Sequence, residues 1–247
     1  MLRDPVPPRR LWPAPSEFRA SAERNVRFLI EHAGLRPDAR ILDVGCGPGR
    51  LALALRDYFG EAGRYEGFDV QADAVDWATR EIGRGDPRFR FTHVDVRNRA
   101  YHARGRVHAR AFRFPYPDRR FDLVVMFSVL THLLPDGLHR YLAESHRVLV
   151  PGGRCVATFY LMDRPSVVST GNATFQISHR SGPFFTSNPS VPEEAVGYPE
   201  PYVRDAARRA GLIVEEPIHA GRWRSPGPAA GWQDAVVARR PDEVGGR

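Results

Sequence analysis

Three glycines at alternate positions constrain this chain more than any other feature of its sequence. A short apolar run, residues 40–44, leads directly into Gly45, Gly47 and Gly49, after which apolar residues recur at helical spacing. This order predicts a strand, a tight turn and a helix. Glycine lets the backbone turn sharply and brings its N–H groups close to a ligand with no Cβ in the way. The turn therefore either binds a ligand or serves only to tighten the connection.

The spacing of the glycines and two later acids narrow the choice of ligand. Dinucleotide-binding folds use the related spacing G-x-G-x-x-G, whereas here the third glycine comes early and Arg50 stands in its place. Asp69 ends the second predicted strand about 20 residues beyond the turn, where a carboxylate can accept both ribose hydroxyl hydrogens. It can equally cap the helix that follows. Asp95 ends the third predicted strand, at the edge where open α/β sheets bind ligands.

Strand and helix patterns alternate along most of the chain. Strands are predicted over residues 40–44, 65–70, 89–96, 121–127, 155–160, 212–218 and 233–238, and helices over 21–34, 51–59, 75–82, 136–149 and 202–210. Ser21 is the predicted N-cap of the first helix and Gly34 its C-terminal stop. Such alternation is typical of an α/β domain, with a mostly parallel sheet and helices on both faces.

Four stretches lack this periodicity. We expect residues 1–20, rich in Pro and Arg, to be a flexible leader, and residues 241–247 to be a disordered tail. Residues 97–120 form a polar linking loop. Residues 161–199 are the longest irregular stretch, and we interpret them as a substrate lid because loops of that length usually carry function. The sequence thus predicts one domain over residues 21–240.

Charge and cysteine content bear on partners and compartment. The formal charge is +7, but all 36 basic residues are Arg and they are scattered among acids, apart from a diffuse excess over residues 97–120. No stripe that would follow a nucleic-acid backbone is evident. Cys46 and Cys155 suit a reduced protein without disulfides, and no apolar stretch resembles a signal peptide or a membrane span. We expect a cytoplasmic protein whose partner is a small molecule, with neither nucleic acid nor membrane.

Four motifs make the chain resemble a known family. Residues 41–50, Ile-Leu-Asp-Val-Gly-Cys-Gly-Pro-Gly-Arg, look like the first motif of class I S-adenosylmethionine-dependent methyltransferases of the Rossmann-like, small-molecule type. Residues 67–70 resemble the second motif, and residues 121–132 and 147–153 are similar to the motifs at the fourth strand and before the fifth. The resemblance implies S-adenosylmethionine as the cofactor. It also implies a sheet of seven strands whose last strand is antiparallel to the rest.

The resemblance further implies a role for each matching position. Asp43 and the turn residues Gly45, Cys46, Gly47 and Gly49 would hold the methionine moiety. The remaining cofactor contacts would be Asp69 to the ribose hydroxyls, Val70 to adenine, Asp95 to the adenine amino group with the Val96 N–H nearby, and Phe127 and Ser128 lining the pocket towards the reacting methyl group.

Methyl transfer to a hydroxyl needs a group that removes the hydroxyl proton, and a histidine of near-neutral pKa is the natural general base. His132 follows the fourth predicted strand, on the edge that faces the methyl group, so it is the candidate catalytic residue. The alternative is that His132 caps or packs the next helix. No acids cluster after the fourth and fifth strands, so we expect a metal-independent reaction.

The irregular segments and the last strand supply candidate substrate contacts, namely Tyr101, Tyr160, Trp223 and Gln233. Our prediction is methyl transfer from S-adenosylmethionine to a small-molecule acceptor, most readily at a hydroxyl oxygen. Two alternatives remain: an RNA or protein methyltransferase that docks through residues 97–120, and a catalytically inactive cofactor-binding regulatory module. The glycine spacing opposes a nicotinamide-dependent oxidoreductase.

Overall fold

The computed structural model describes residues 5–170, 173–223 and 231–243. The chain divides into two compact units, Met1–Val94 and Asp95–Arg247. The first unit contains α1 (Phe18–Ala33), β1 (Arg40–Val44), α2 (Arg50–Tyr58), β2 (Arg64–Asp69), α3 (Ala72–Ala78) and β3 (Phe89–His93). Strand β2 pairs in parallel with β1 and with β3, as the alternation of strands and helices predicts.

Helix α1 begins earlier than the sequence predicts. Ser21 is not its N-cap, because it lies buried inside the helix and its Oγ donates to the Phe18 carbonyl oxygen over 2.9 Å. Phe18 is itself buried, and its ring packs edge-on against Trp12 and Trp77, which holds the first turn in place. The helix therefore starts within the predicted leader, of which residues 1–4 lie outside the described part of the chain. Gly34 ends the helix in the left-handed conformation, as predicted.

The second unit begins with short elements, and longer strands and helices follow. Its strands and helices are β4 (Val96–Arg97), β5 (Val107–His108), β6 (Phe121–Met126), α4 (Pro135–Val148), β7 (Leu149–Leu161), β8 (Ser166–Thr170), β9 (Ala173–Ile177), β10 (His179–Ser181), β11 (Phe184–Thr186), β12 (Val196–Tyr198), α5 (Glu200–Arg209), β13 (Ile213–Val214) and β14 (Asp234–Arg239). Strand β6 pairs in parallel with β7. Strand β14 pairs antiparallel with β7, which confirms the predicted orientation of the last strand.

The predicted irregular lid, residues 161–199, contains regular structure instead. Strands β8 and β9 form an antiparallel hairpin, β10 and β11 form another, and β12 joins the end of β7 in parallel. Val168 and Ile177 are fully buried in a cluster with Phe185. These strands are too short to show a clear alternation in the sequence, and their burial depends on partners distant in the chain. Residues 171–172 of this segment lie outside the described residues.

The edges of the fold also differ from the sequence prediction. Strand β13 has two residues, much shorter than the predicted 212–218, and pairs antiparallel with β14. In the predicted tail, Asp242 accepts a hydrogen bond from Arg239, while residues 244–247 lie outside the described part. The protein is an α/β protein in which the pairings of β1 with β2, β2 with β3 and β6 with β7 are parallel and helices flank the strands. None of the described helices has the length and apolar content needed to cross a membrane.

Candidate functional site

The glycine turn between β1 and α2 leaves space on its open side. Gly45, Gly47 and Gly49 all have positive φ angles, of 70°, 51° and 76°. A Cβ built on Gly47 would meet no atom within 4 Å, whereas a Cβ on Gly49 would lie 2.7 Å from Ile82 Cδ1. Gly49 is therefore required for packing inside the unit, and Gly47 keeps the backbone open to a ligand.

Asp69, at the end of β2, is bound to this turn. Its Oδ2 accepts a hydrogen bond from the Gly47 N–H over 2.7 Å, and its Oδ1 accepts one from the Gln71 N–H over 2.8 Å. Burial raises the pKa of its carboxyl group, and these backbone donors oppose the rise. Asp69 thus holds the turn and the approach to α3 in place. Each carboxylate oxygen keeps a further lone pair, so the predicted ribose contact remains compatible with this geometry.

Asp43, at the end of β1, is a buried carboxyl group that does not ionise readily. Burial raises its pKa to about 7, although a hydrogen bond from Tyr65 and the charge of Arg50 both favour the ionised form. The Tyr65 hydroxyl donates to Asp43 Oδ2 over 2.6 Å. A Cβ at Gly67 would lie 2.8 Å from that hydroxyl oxygen, so glycine there makes room for it. A cation placed beside Asp43 would favour its carboxylate form.

The other predicted cofactor residues of the first unit lie around the same turn. Cys46 is buried, and burial raises the pKa of its thiol well above the ordinary value, so the thiol is neutral. The Val70 carbonyl oxygen accepts a hydrogen bond from His93 Nε2 over 3.2 Å. Arg50 stands where dinucleotide-binding folds have their third glycine. The centre of its guanidinium lies 4.8 Å from the Trp12 ring centre.

Asp95, at the start of the second unit, is already paired. Its Oδ1 lies 2.8 Å from His102 Nε2 and its Oδ2 lies 2.5 Å from Arg106 Nε. The hydrogen bonds from Arg106 and His102 lower the pKa of this carboxyl to about 2. Val96 is buried in β4. An adenine amino group at Asp95 would share the carboxylate with both partners, and the adenine role stays a prediction.

His132 ends a short 3-10 helix, Leu130–His132, and both of its ring nitrogens have partners. Nδ1 lies 2.9 Å from the Glu193 carbonyl oxygen, which can only accept, so Nδ1 carries the hydrogen. In the neutral ring, Nε2 then has a free lone pair, and it accepts a hydrogen bond from the Tyr101 hydroxyl over 3.2 Å. Burial lowers the pKa of His132 below the ordinary 6.5. This tautomer, assigned from the partners, is the one that a general base requires.

Ser128 and Gln233 are joined by hydrogen bonds. Ser128 has a φ of 60°, which is rare for a residue with a Cβ, and its Oγ donates to Gln233 Oε1 over 2.9 Å. Thr158 Oγ1 also donates to Gln233 Oε1, over 2.6 Å, and accepts from the Ser128 N–H over 2.8 Å. Residues in strained backbone conformations cluster at functional sites. Phe127, next to Ser128, is half-buried.

The structure places the predicted substrate residues Tyr160 and Trp223 in a hydrophobic cluster. Both are buried, and their rings pack edge to face with centres 5.3 Å apart. Trp223 Nε1 donates to Asp234 Oδ2 over 2.8 Å, and Asp234 also accepts from the Gly221 and Leu161 N–H groups. A contact of either ring with substrate stays a prediction. Tyr101, in contrast, is 46% exposed and packs on the His132 ring.

A pocket of about 600 Å³ opens beside His132 within the second unit. Its polar lining includes Arg97, Arg99, Arg110 and Glu193, none of which the sequence singled out. Asn98, also in the lining, is buried and joins the loop to the His132 helix. The only sequence signal for these residues was the diffuse Arg excess over 97–120. Within the described part of the chain, no three His, Cys, Asp or Glu side chains are grouped to hold a metal ion.

Comparison with known proteins finds a family that matches part of the chain. Residues 41–153 match the family described as "Methyltransferase domain". Demethylmenaquinone methyltransferase of Lysinibacillus sphaericus (strain C3-41) is 28% identical over 127 residues, 51% of this chain and 47% of that protein. The 27-O-demethylrifamycin SV methyltransferase of Amycolatopsis mediterranei (strain S699) is 31% identical over 148 residues, 58% of this chain and 48% of that protein. The chain therefore spans about half the length of these curated relatives.

Solved structures show the same fold. A SAM-dependent methyltransferase from Aquifex aeolicus has a TM-score of 0.57 and 21% identity, covering 92% of this chain and 93% of that one. The [4+2]-cyclase SpnF has a TM-score of 0.58 and 21% identity, covering 90% of this chain and 83% of that one. The fold is Rossmann-like, as predicted. Residues 41–153 are thus similar to a methyltransferase domain, and the fold is the one found in S-adenosylmethionine-dependent methyltransferases.

The glycine turn fits the cofactor of this class. S-adenosylmethionine carries positive charge on its amino group and its sulfonium, and the buried Asp43 is a carboxyl group whose ionisation such a charge would favour. The open space above Gly47 admits the ligand to the backbone. Asp69, held beside this turn, keeps free lone pairs for the ribose hydroxyls.

Proposed function

We propose that this protein transfers a methyl group from S-adenosylmethionine to a hydroxyl oxygen of a small-molecule acceptor, without a metal ion. The observation that carries the proposal is the state of His132. Its ring is partly buried and neutral at pH 7, its Nδ1 is fixed by the Glu193 carbonyl oxygen, and its Nε2 accepts from a hydroxyl group. If a hydroxyl of the methyl acceptor took the position of the Tyr101 hydroxyl, it would donate to His132 Nε2 in the same way.

The chain contributes position and proton removal. When bound, S-adenosylmethionine supplies a methyl group on a sulfonium, which is already electrophilic. Asp43, the glycine turn and Asp69, all in the first unit, would hold this cofactor. His132 Nε2 takes the hydroxyl proton as the acceptor oxygen becomes nucleophilic, and the Glu193 carbonyl oxygen stabilises the imidazolium that forms.

The relatives support a small-molecule acceptor, because their names give a demethylmenaquinone and a 27-O-demethylrifamycin as methylated compounds. The second of these names points to an oxygen. The fold by itself does not define the reaction, since SpnF, which has a similar fold, is a [4+2]-cyclase. The two buried free cysteines support a cytoplasmic location, which fractionation of the source cells would test.

Replacing His132 tests the proposal. We expect His132→Ala to lower turnover by about a hundredfold or more, the usual contribution of a general base, while S-adenosylhomocysteine affinity in calorimetry stays unchanged. The activity of the unaltered enzyme should rise with pH and be half-maximal below pH 6.5, because the pKa of His132 is lowered. His139→Ala is the matched control, since His139 also bonds to a tyrosine hydroxyl, that of Tyr202.

Three results would contradict this assignment. Unchanged turnover in His132→Ala would remove His132 as the base. Tight cofactor binding with no methyl transfer to any metabolite would favour the regulatory module. Methyl incorporation into RNA or protein, with strongly salt-dependent binding through residues 97–120, would favour the macromolecular alternative.

A further inference from the structure

The pocket beside His132 combines two kinds of polar group. Three guanidinium side chains, those of Arg97, Arg99 and Arg110, belong to its lining, as does the carboxylate of Glu193. Leu133, Leu134 and Phe184 supply apolar surface between them. A volume of about 600 Å³ is sufficient for a small molecule. The proposed base therefore lies in the same pocket as these two kinds of group.

Glu193 has a carboxylate oxygen that lacks a partner. Its Oε2 is buried and forms no hydrogen bond with the described part of the chain, although its main-chain oxygen accepts from His132. A buried acceptor without a donor is costly, and such groups are almost always satisfied by protein, water or ligand. A hydroxyl or amino group on a ligand beside His132 would supply the missing donor.

The three arginines are also available to a ligand. No acid among the described residues forms an ion pair with Arg97, Arg99 or Arg110, whereas Arg106 in the same segment is paired with Asp95. Asp136 also lines the pocket, and it forms no ion pair with these arginines. Guanidinium groups bind carboxylate and phosphate oxygens through paired N–H donors. Their presence in a pocket is a direct chemical signal for an oxyanion.

We propose that this pocket binds a methyl acceptor with an oxyanion, a carboxylate or a phosphate, on Arg97, Arg99 and Arg110 and with a hydrogen-bond donor on Glu193. The acceptor is thus an anionic hydroxy compound. This inference rests on the proposed function, because the acceptor hydroxyl is the group that His132 deprotonates.

The test measures binding and does not depend on turnover. The full chain, saturated with S-adenosylhomocysteine, is titrated with 3-hydroxybenzoate, 3-hydroxyphenyl phosphate and the neutral 3-hydroxybenzamide. We expect one of the two anions to bind at least about tenfold more tightly than the amide, and the tighter anion identifies the oxyanion. The double variant Arg97→Gln/Arg99→Gln and the single variant Arg110→Gln should each remove most of that preference. Arg104→Gln is the control, since Arg104 is exposed in the same loop outside the pocket lining.

A second variant tests the donor part of the site. Glu193→Gln should weaken 3,4-dihydroxybenzoate, whose second hydroxyl can donate to Glu193, but leave 3-hydroxybenzoate, whose single hydroxyl donates to His132, unchanged. Equal binding of anion and amide would overturn the proposal, as would an equal loss in Arg104→Gln. Selective, salt-sensitive binding of an RNA oligonucleotide through these arginines, with no preference among the probes, would overturn it too.

The outcomes separate this inference from the proposed function. If His132→Ala is inactive and the probes show no charge preference, the methyltransferase assignment stands and the oxyanion site fails. If the probes bind as expected and His132→Ala keeps full turnover, the oxyanion site stands and the general base fails.

Discussion

Asn98 donates from Nδ2 to the His132 carbonyl oxygen over 2.8 Å. The same side chain accepts from the Ala100 and Tyr101 N–H groups through Oδ1, over 3.0 and 3.1 Å. One buried amide therefore fixes the loop that carries Tyr101 to the helix that carries His132. The position of the Tyr101 hydroxyl relative to Nε2 depends on this side chain.

Asn98→Asp should separate the two functions of that amide. The aspartate carboxylate can still accept from the Ala100 and Tyr101 N–H groups, but it cannot donate to the His132 carbonyl oxygen. We expect turnover to fall about tenfold or more, which is a barrier increase of about 1.4 kcal/mol, with unchanged S-adenosylhomocysteine affinity. Asn188→Asp, at another turn in which Oδ1 accepts from backbone N–H groups, is the control. Equal effects of the two substitutions would show that the link to His132 is irrelevant.

Tyr101→Phe tests whether the tyrosine hydroxyl has a role in the reaction or only forms a hydrogen bond with His132 Nε2 in the absence of substrate. The phenylalanine ring keeps the edge-on packing against His132, whose centre lies 4.9 Å away, and leaves Nε2 free. We expect turnover to change by less than about fivefold, a small effect beside the loss of a general base. Steady-state kinetics with the identified acceptor measure this. A loss as large as that of His132→Ala would mean that Tyr101 itself transmits the proton.

Cofactor affinity should depend on pH through Asp43. The pKa of its carboxyl is about 7 in the folded protein, and the positive charge of the cofactor favours the carboxylate. Affinity should rise by up to about tenfold per pH unit below pH 7, because binding releases one proton. Calorimetry in buffers of different ionisation enthalpy detects that proton. Asp43→Asn should abolish this dependence of cofactor affinity on pH. If the dependence persists in the variant, it arises instead from Asp69, whose pKa is also raised.

The ionisation of Asp43 should also affect the free energy of unfolding, which should fall as the pH rises, whereas cofactor affinity should increase. The unfolded chain loses the Asp43 proton near pH 3.8, and the folded protein near pH 7, so the folded state binds more protons between these values. The contribution of Asp43 to the free energy of unfolding is therefore present below pH 3.8 and lost as the pH rises towards 7. Urea titrations without cofactor should show this loss, and Asp43→Asn should remove it.

Glu144 is the acid whose loss we expect to destabilise the second unit most. It is 2% exposed, its Oε2 lies 2.5 Å from Arg147, and the same oxygen accepts from the Phe114 N–H. Glu144→Ala leaves the arginine without its buried partner, at a cost of about 3 kcal/mol in the free energy of unfolding. Asp118→Ala, which removes an exposed partner of the same arginine, should change it little. Similar losses would show that burial of the pair is unimportant.

Local patterns in the sequence predict much of the fold. The glycine turn, the position of α1 up to Gly34 and the antiparallel β14 follow from short-range signals and from the family resemblance. The hairpins within residues 161–199 do not, because their strands are three to five residues long and their apolar positions acquire meaning only in the cluster with Phe185. Ser21 fails as a cap for a similar reason: aromatic packing at Phe18 outweighs a local preference.

The candidate site is harder to predict from the sequence than the fold. Asp43 and Asp69 lie at strand ends, where position alone predicts them, but Tyr65 reaches Asp43 only through the register of β1 with β2. Glu193 meets His132 across a separation of 61 residues, so no local pattern could have joined them. The sequence shows an excess of arginines over residues 97–120, but it does not show which of them lack an acidic partner.

Strand β7 has 13 residues and takes its neighbours from distant parts of the chain: β6 before it, and β12 and β14 after it. During synthesis, β7 leaves the ribosome well before Asp234–Arg239 can pair with its residues Arg154–Phe159. That edge, rich in buried apolar side chains, is exposed throughout the interval. A nascent chain of this protein is therefore most prone to aggregate late in translation, and chaperones that shield strand edges should matter most for its yield.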